Sequence, residues 1–387
     1  HMRKFYTAEA VTEGHPDKLC DQIADAILDV CLKNDENSRV ACEVLATKGN
    51  IIVAGEITSA YEPDVFAVVR KVLSDIGYSS EGIAMDTFVH QQSPDIAGAV
   101  DTSKERREGV SDNQMDWFQG AGDQGVMIGY ACDETKQLMP IPVVLANRIV
   151  RELSACRQSS YIQGILPDGK AQVTVEYENG KPVRLDSVVV SCQHTEDKNL
   201  KKLEAEIRKK VLLPALRLLP PDEDTKIFIN PSGRFVCGGM DADTGLTGRK
   251  LMVDSYGSMV PHGGGAFSGK DCSKVDRSVA YMARYIAKNI VAARLASRCQ
   301  VSLAYAIGVA QPVMVQVDTF GTGKVCADDC LELAIPLVFG LTPKQIVDSL
   351  RLTRPIFRQT AAFGHFGRKE FPWERTDKVE ALRNAVI

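Results

Sequence analysis

The chain has 387 residues, a formal net charge of -4 and a pI near 6.0. This balance argues against nucleic acid as the main partner, and the length suffices for two or three domains. No run of eighteen apolar residues and no signal-peptide pattern occur, so we expect a soluble, cytoplasmic protein with no membrane partner. The eleven cysteines form no CxxC pair, which favours buried, reduced thiols over disulfides.

One order of predicted elements, helix then hairpin then helix, occurs three times along the chain. The first copy consists of a helix over 18–32, strands over 40–45 and 51–57, and a helix over 64–76. The second consists of a helix over 143–156, strands over 172–177 and 187–190 around Asn179-Gly180, and a helix over 200–213. The third consists of a helix over 275–298, strands over 301–309 and 313–317, and helices over 330–339 and 344–350.

The repeated order predicts an α+β fold of three structurally similar domains of sheet plus helices, related by a pseudo-threefold repeat. We place the N-terminal domain at 3–100, the central domain at 120–232 and the C-terminal domain at 233–382. Between the first two, residues 101–119 are charged, lack a clear hydrophobic period and contain Gly109. A structureless stretch of this length in a compact chain is often functional, so we predict a mobile active-site lid there.

A glycine-rich stretch, HGGGAFSGKD, has part of the frame of a phosphate-binding P-loop. Gly264 is followed after four residues by Gly269-Lys270, but Asp271 stands where a P-loop needs Ser or Thr for Mg²⁺. The preceding residues 256–261 are rich in turn formers and make a poor feeding strand. The motif therefore does not indicate a P-loop, although its small residues could still cradle an anion.

Two other groups of polar residues have both a purely structural and a functional interpretation. In EGHPDK, residues 13–18, Asp17 could simply stabilise a helix start, or the group could bind a metal-bound polyphosphate. Between 231 and 276, glycines alternate with basic residues and with Asp243 and Asp276. That pattern fits exposed mixed charge, and it equally fits a triphosphate site with divalent metal.

Taken together and in this order, the motifs resemble those of the S-adenosylmethionine synthetase (methionine adenosyltransferase) family, bacterial type. They are GHPDK at 14–18, GAGDQG at 120–125, GLTGRK at 245–250, HGGGAFSGKDxxKVDRS at 262–278, TAAFGHFGR at 360–368 and FPWE at 371–374. The resemblance extends over essentially the whole chain.

The resemblance implies the family's three-domain fold, a homodimer with shared active sites, and usually a homotetramer. It implies that the sulfur of L-methionine attacks C5′ of ATP, and that the released triphosphate is hydrolysed to pyrophosphate and phosphate. It also implies two Mg²⁺ ions per site and stimulation by K⁺. A thioether needs no deprotonation, so such a site requires positioning and charge stabilisation rather than an activated base.

The resemblance also assigns roles to individual residues. His15, Lys170 and Lys270 would be catalytic, with His15 beside the oxygen that leaves C5′. The residues expected to bind ATP are His15, Asp168, Lys170, Arg234, Phe235, Asp243, Arg249, Lys250, Ala266 and Lys270, with Phe235 stacked on adenine. Those expected at methionine are Glu56, Asp123, Asp243 and Lys274. Asp17 and Asp276 would bind Mg²⁺, and Glu43 would bind K⁺.

Three departures from the family pattern affect these expectations. Gly98 replaces a glutamine that reaches methionine in the family, the loop to Gln119 is longer than usual, and Met240-Asp241-Ala242 replaces the usual Pro-x-Gly. One alternative is therefore a triphosphatase or phosphotransferase with a changed sulfur substrate. Another is an ATP-binding regulatory protein without turnover, which would not require both metal-binding acids and the leaving-group histidine.

Overall fold

A computed structural model of the chain describes residues 2–109 and 120–386. Its elements form three successive units, in each of which a strand, a helix and a two-stranded hairpin follow in order. The first unit comprises β1 (Arg3–Val11), α1 (Pro16–Asn34), β2 (Arg39–Thr47), β3 (Asn50–Thr58), α2 (Val65–Ile76) and β4 (Ala84–His90), followed by α3 (Pro94–Asp101) and α4 (Lys104–Arg107). Residues 110–119 of the predicted lid lie outside the described residues.

The second and third units repeat this order with different lengths. The second comprises β5 (Gly125–Cys132), α5 (Ile141–Gln158), β6 (Ile165–Glu178), β7 (Lys181–His194), α6 (Leu200–Ile207), a π-helical turn (Arg208–Leu212), α7 (Leu213–Ala215) and β8 (Lys226–Ile229). The third comprises β9 (Gly245–Leu246), α8 (Leu251–Asp254), α9 (Val275–Ala292), β10 (Arg298–Tyr305), β11 (Met314–Asp318), α10 (Asp328–Val338), α11 (Pro343–Leu350) and α12 (Val379–Ala385), with short 3₁₀ turns at Gly239–Asp241, Arg358–Ala361 and Pro372–Glu374.

The first strand of each unit joins the hairpin of the next unit rather than its own. β1 pairs antiparallel with β6, β5 with β10, and β9 with β2, so the exchange is cyclic. The resulting sheets have the strand orders β4-β3-β2-β9, β1-β6-β7-β8 and β11-β10-β5. The three units are therefore interlocked, which hydrophobic periodicity alone did not predict.

The predicted helices and hairpins are present in all three units, but the bounds of several elements differ from the prediction, most clearly in the third unit. The helix expected over 275–298 ends at Ala292, because Arg294 adopts a left-handed φ of 61° and the chain then begins β10. The strand expected over 301–309 likewise occupies Arg298–Tyr305. The mixed α+β fold with three units in sequence is confirmed.

Two of the C-terminal motifs hold α9 in the core rather than forming a surface site. Trp373 of FPWE stacks on Tyr281 with ring centroids 3.7 Å apart, and its indole N–H donates to the His365 carbonyl at 2.8 Å. Arg284, fully buried in α9, forms an ion pair with Glu374 at 2.7 Å. Burying these charges together avoids the large cost of an unpaired ion in the interior.

All eleven cysteines are free, and eight of them are buried, as expected for reduced thiols that behave as small apolar side chains. Among the described residues no single helix is long and apolar enough to cross a membrane; α10 and α11, bent by 75°, reach that length and composition only as a pair.

Candidate active site

The start of α1 fixes the position and tautomer of the His15 imidazole. His15 is the N-cap residue, Pro16 occupies the first helical position, and the backbone N–H of Asp17 donates to His15 Nδ1 at 3.2 Å. Because Nδ1 accepts this bond, the ring proton resides on Nε2. Burial and the nearby Lys250 ammonium lower the pKa of His15 to about 3, with Lys170 a further cause. A neutral ring with its proton on Nε2 can donate to an oxygen.

A row of aspartates on α1 anchors the two glycine-rich loops of the third unit. Asp17, Asp21 and Asp25 are spaced four residues apart and therefore share one helix face. They accept backbone N–H groups from three loop positions: Leu246 at 3.0 Å, Gly248 at 3.0 Å and Gly269 at 2.8 Å respectively. One helix thus sets the relative position of GLTGRK and HGGGAFSGKD.

Basic side chains surround Asp17 at the start of this row. Lys250 Nζ lies 2.7 Å from one carboxylate oxygen and Arg249 Nε lies 3.6 Å from the other. Burial opposes ionisation of Asp17, but the Lys250 hydrogen bond and the Leu246 amide hold its pKa below the usual value. Asp17 is therefore an anion within a positively charged cluster.

Lys18 belongs to the interior although it lies in the GHPDK motif. It is 1 % exposed, and its ammonium bonds to Asp21 at 2.8 Å and to Asp254 at 2.5 Å. Burial alone would lower the pKa of Lys18, but the two carboxylates raise it above its usual value. The ammonium of this motif consequently supports α1 rather than the site.

Asp168 and Lys170 reach the start of α1 through the pairing of β1 with β6. The Thr12 hydroxyl donates to the Pro167 carbonyl at 2.7 Å, which brings the two chain segments together. Asp168 Oδ2 accepts the Gly239 N–H at 2.8 Å, whereas its buried Oδ1 has no hydrogen-bond partner among the described residues. Burial raises the pKa of Asp168, and Lys170 is exposed beside it. Asp168 thus retains an acceptor for a ligand donor.

Three residues expected to bind ATP, Arg234, Phe235 and Asp243, lie in the segment between β8 and β9. The Phe235 N–H donates to His194 Nε2 at 2.9 Å, and its carbonyl accepts the His194 N–H at 2.9 Å. The half-buried phenyl ring is therefore carried by a fixed backbone. Arg234 forms an exposed ion pair with Glu196 at 2.9 Å, and Asp243 is exposed, with its N–H bonded to the Gly239 carbonyl at 3.1 Å.

A second cluster lies around Lys270 and Asp276. Their ammonium and carboxylate are 2.7 Å apart, and Gly265 lies so close to Asp276 that an added Cβ would stand 2.4 Å from Oδ1. Ala41 of β2 pairs with Lys270 on one side and with Glu56 on the other, so Glu56 lies one strand beyond. Glu56 also contacts His90 at 3.2 Å.

Asp271 explains why HGGGAFSGKD is not a P-loop. This buried carboxylate accepts the Val40 N–H at 2.7 Å and the Ser273 N–H at 2.9 Å, and it binds the Lys274 ammonium at 2.6 Å. Burial opposes ionisation of Asp271. The Lys274 ammonium, together with the Ser273 and Val40 N–H groups, nevertheless holds the pKa of Asp271 below its usual value. Asp271 therefore fastens β2 to the start of α9, and Lys274 is tied to it.

The remaining predicted residues lie at the edges of these clusters. The Thr247 hydroxyl donates to the exposed Glu43 carboxylate, and exposed Asp123 accepts the N–H of the next residue at 2.7 Å. Ala266 approaches Gly248, where an added Cβ would lie 2.8 Å from the alanine Cβ. The two glycine-rich loops therefore touch at Gly248 and Ala266.

Two departures noted in the sequence have a defined place. Gly98 lies in α3, and an added Cβ there would meet no atom of the described residues within 4 Å. Met240 is buried, whereas Asp241 is exposed at the end of the 3₁₀ turn after Gly239. As far as the described residues extend, they leave space for a larger side chain at position 98.

Sequence reasoning overlooked the residues that support the site. Asp21 and Asp25 were recognisable from their four-residue spacing with Asp17, but nothing in the sequence named their partners. Tyr78, whose hydroxyl donates to the Gly14 carbonyl at 2.6 Å, carried no motif signal at all.

Comparison with known families gives three matches that follow one another along the chain. Residues 3–101 match the S-adenosylmethionine synthetase N-terminal domain, residues 118–235 the central domain of that synthetase, and residues 237–375 its C-terminal domain.

Proposed function

This chain belongs to the S-adenosylmethionine synthetase family, and we propose that it works by attack of the methionine sulfur on C5′ of ATP. The whole triphosphate then leaves and is hydrolysed to pyrophosphate and phosphate. The complete set of family domains supports methionine adenosyltransferase activity, the synthesis of S-adenosylmethionine from ATP and methionine.

The state of His15 carries this proposal. The thioether sulfur is a nucleophile without a proton to remove, so the step needs no general base. It does need stabilisation of the negative charge that develops on the oxygen leaving C5′. The Asp17 N–H occupies His15 Nδ1, which leaves Nε2–H as a donor for that oxygen. A protein that only binds ATP would not require a donor at the oxygen that leaves C5′.

The charged clusters suit the polyphosphate. We assign Lys170, Arg249 and Lys250 to the phosphates from the cluster around Asp17, and Lys270 from the second cluster. Asp168 and Phe235, with Arg234 nearby, would hold adenine, with the free Asp168 Oδ1 as acceptor for a nucleotide donor. Ala266 would contact the nucleotide. Methionine would lie against Glu56, Asp123, Asp243 and Lys274.

The family is generally metal-dependent, and the oxygen donors here fit Mg²⁺ and K⁺. Within the described residues no group of three or more His, Cys, Asp and Glu could hold a metal alone. Mg²⁺ commonly uses one or two carboxylates and completes its shell with substrate phosphates and water. Asp17 and Asp276 would supply these carboxylates for two Mg²⁺ ions, and Glu43 would bind K⁺. Bound Mg²⁺ would neutralise charge on the triphosphate.

We propose a homodimer in which the cluster around Asp17 in one subunit faces the Lys270 cluster of the other. Two such dimers would form a homotetramer. The three domains, taken as 3–100, 120–232 and 233–382, would each contribute to the site, with 101–119 as its lid. Free cysteines agree with a cytoplasmic setting. Light scattering would distinguish a tetramer from a dimer and would exclude both if the protein were monomeric.

The decisive experiment is incubation with ATP, Mg²⁺ and K⁺, with and without L-methionine. We expect methionine-dependent S-adenosylmethionine in equal amount to pyrophosphate and to phosphate. Cleavage of ATP or triphosphate without S-adenosylmethionine would contradict the proposal and favour the triphosphatase alternative. No turnover despite ATP binding would favour a regulatory protein.

A further inference from the structure

Tyr78 is brought to the His15 turn by the end of α2. Gly77 ends this helix with a left-handed φ of 106°, and the N–H groups of Gly77 and Tyr78 both bond to the Leu73 carbonyl, at 3.0 and 2.9 Å. This glycine termination is a rigid helix end that fixes the direction in which the next side chain leaves. The half-buried phenol therefore has a defined position before any ligand binds.

The phenol holds the peptide unit that precedes His15. Its hydroxyl donates to the Gly14 carbonyl at 2.6 Å. The other polar group of the same peptide unit, the His15 N–H, donates to the Thr12 carbonyl at 3.2 Å. Because a peptide unit is planar, hydrogen bonds on both of its sides oppose rotation about the axis joining its Cα atoms. Rotation of this unit would change φ of His15 and displace the imidazole.

Gly14 makes such a restraint necessary. An added Cβ at Gly14 would lie 2.4 Å from the Pro167 backbone, so only glycine fits there. Glycine gives this close approach at the cost of a flexible backbone. The hydrogen bond from Tyr78 is thus placed at the flexible position next to His15.

The same phenol also contacts the loop that holds Asp168. An added Cβ at Gly239 would stand 2.5 Å from the Tyr78 hydroxyl oxygen, so the phenol packs directly against this glycine. The Gly239 N–H donates to Asp168 Oδ2 at 2.8 Å. Tyr78 therefore lies between the His15 turn and the Asp168 loop and contacts both.

We propose that Tyr78 is a positioning residue for the leaving-group histidine: through Gly14 and Gly239 it fixes His15 relative to Asp168. This inference rests on the proposed function, since it assigns Tyr78 to the synthesis step and not to triphosphate hydrolysis. Burial, with the charge of Asp168 a further cause, raises the pKa of Tyr78, so its hydroxyl stays a donor.

The test is Tyr78→Phe, which removes only the hydroxyl. We expect kcat for S-adenosylmethionine formation to fall about five- to tenfold, the range of one lost hydrogen bond. KM for ATP and hydrolysis of added triphosphate should stay near the wild-type values, and Tm should fall by only a few degrees, because the Gly14 carbonyl loses its partner. An unchanged kcat, or an equal fall in both reactions, would overturn the inference.

Two further variants make the result specific. Tyr285→Phe removes another tyrosine hydroxyl, bonded to Asp377 and about 14 Å along α9 from Asp276, and should leave kcat unchanged. Gly239→Ala keeps the Tyr78 hydroxyl but forces it aside and also strains a backbone with a left-handed φ of 61°, so synthesis should fall at least as far as in Tyr78→Phe; normal synthesis there would contradict the positioning role. Wild-type protein that makes no S-adenosylmethionine would refute the proposed function itself, whatever the variants do.

Discussion

The backbone N–H of Asp17 donates to Nδ1 of His15 across 3.2 Å, and this bond separates the two ring nitrogens by role. Nδ1 caps α1, and Nε2 remains for chemistry. Asn at position 15 would reproduce the Nδ1 side, because Asn is a favourable N-cap residue, but it would be too short to replace Nε2–H.

We therefore expect His15→Asn to preserve Tm and to slow S-adenosylmethionine formation on the order of 100-fold, as for loss of one transition-state donor. Hydrolysis of added triphosphate should change much less. His15→Gln, whose amide reaches further, should recover part of the synthesis rate. Steady-state assays of both reactions decide the matter, and an equal loss in both would remove the leaving-group role.

Phe235 offers a separate test of the adenine site. Its backbone is bonded in both directions to His194, so Phe235→Ala should remove the ring without moving the chain. Stacking of a base on an aromatic ring contributes about 1 to 3 kcal/mol. We expect KM for ATP to rise about tenfold while the Mg²⁺ concentration for half-maximal activity stays constant. An unchanged KM for ATP would argue against stacking.

The sequence predicted the repeated elements because their signals are local. The helical period of α1 and the Asn179-Gly180 turn of the second hairpin depend on neighbouring residues only. The exchange of β1, β5 and β9 between units could not be predicted, since strand partners are set by packing of distant segments. The helix end at Ala292 was missed because the left-handed Arg294 carries no glycine signal.

The same distinction applies to the site. Motifs indicated which side chains could bind phosphate, and the structure brings His15, Asp17, Lys250 and Asp168 close together. The motifs could not predict which charged side chains are already held in ion pairs inside the protein. The Lys18 ammonium pairs with Asp21 and Asp254, because a buried ion requires partners within the protein.

Asp271 provides a test of the P-loop interpretation. Asp271→Ala would leave the Lys274 ammonium and the Val40 N–H without their partner, so we expect a loss of about 3 to 5 kcal/mol in unfolding free energy. Asp271→Asn should cost less, because its amide oxygen can still accept the Val40 N–H. Denaturant titration measures both.

Asp271→Ser adds the contrasting case, since it creates the hydroxyl that a P-loop uses for Mg²⁺. We expect this variant to be destabilised and to show no tighter Mg²⁺ dependence of activity. Stronger Mg²⁺ binding in the serine variant would show that the motif is a P-loop after all.

The buried carboxyl group of Asp29 should make the free energy of unfolding depend on pH. Its carboxylate accepts the N–H groups of Phe357 and Arg358, both at 2.9 Å, yet burial raises its pKa from the ordinary value of 3.8 to about 6. Between pH 4 and 6 the folded chain therefore holds this proton more tightly than the unfolded chain does. The contribution of Asp29 to the free energy of unfolding therefore falls as the pH rises from 4 to 6.

Asp29→Asn removes the titration and keeps an acceptor. The unfolding free energy of the wild type relative to this variant should decline by at most about 3 kcal/mol from pH 4 to pH 7. Asp75→Asn is the matched control of opposite sign. Burial raises the pKa of Asp75, but the hydrogen bonds from Lys71 and Arg358 outweigh this and lower it below 3.8, so the wild type should gain stability over that variant as pH rises toward 4 and show no further change from pH 4 to pH 7. Parallel pH profiles for the wild type and Asp29→Asn would mean that Asp29 titrates normally, and that its two amide bonds fully offset its burial.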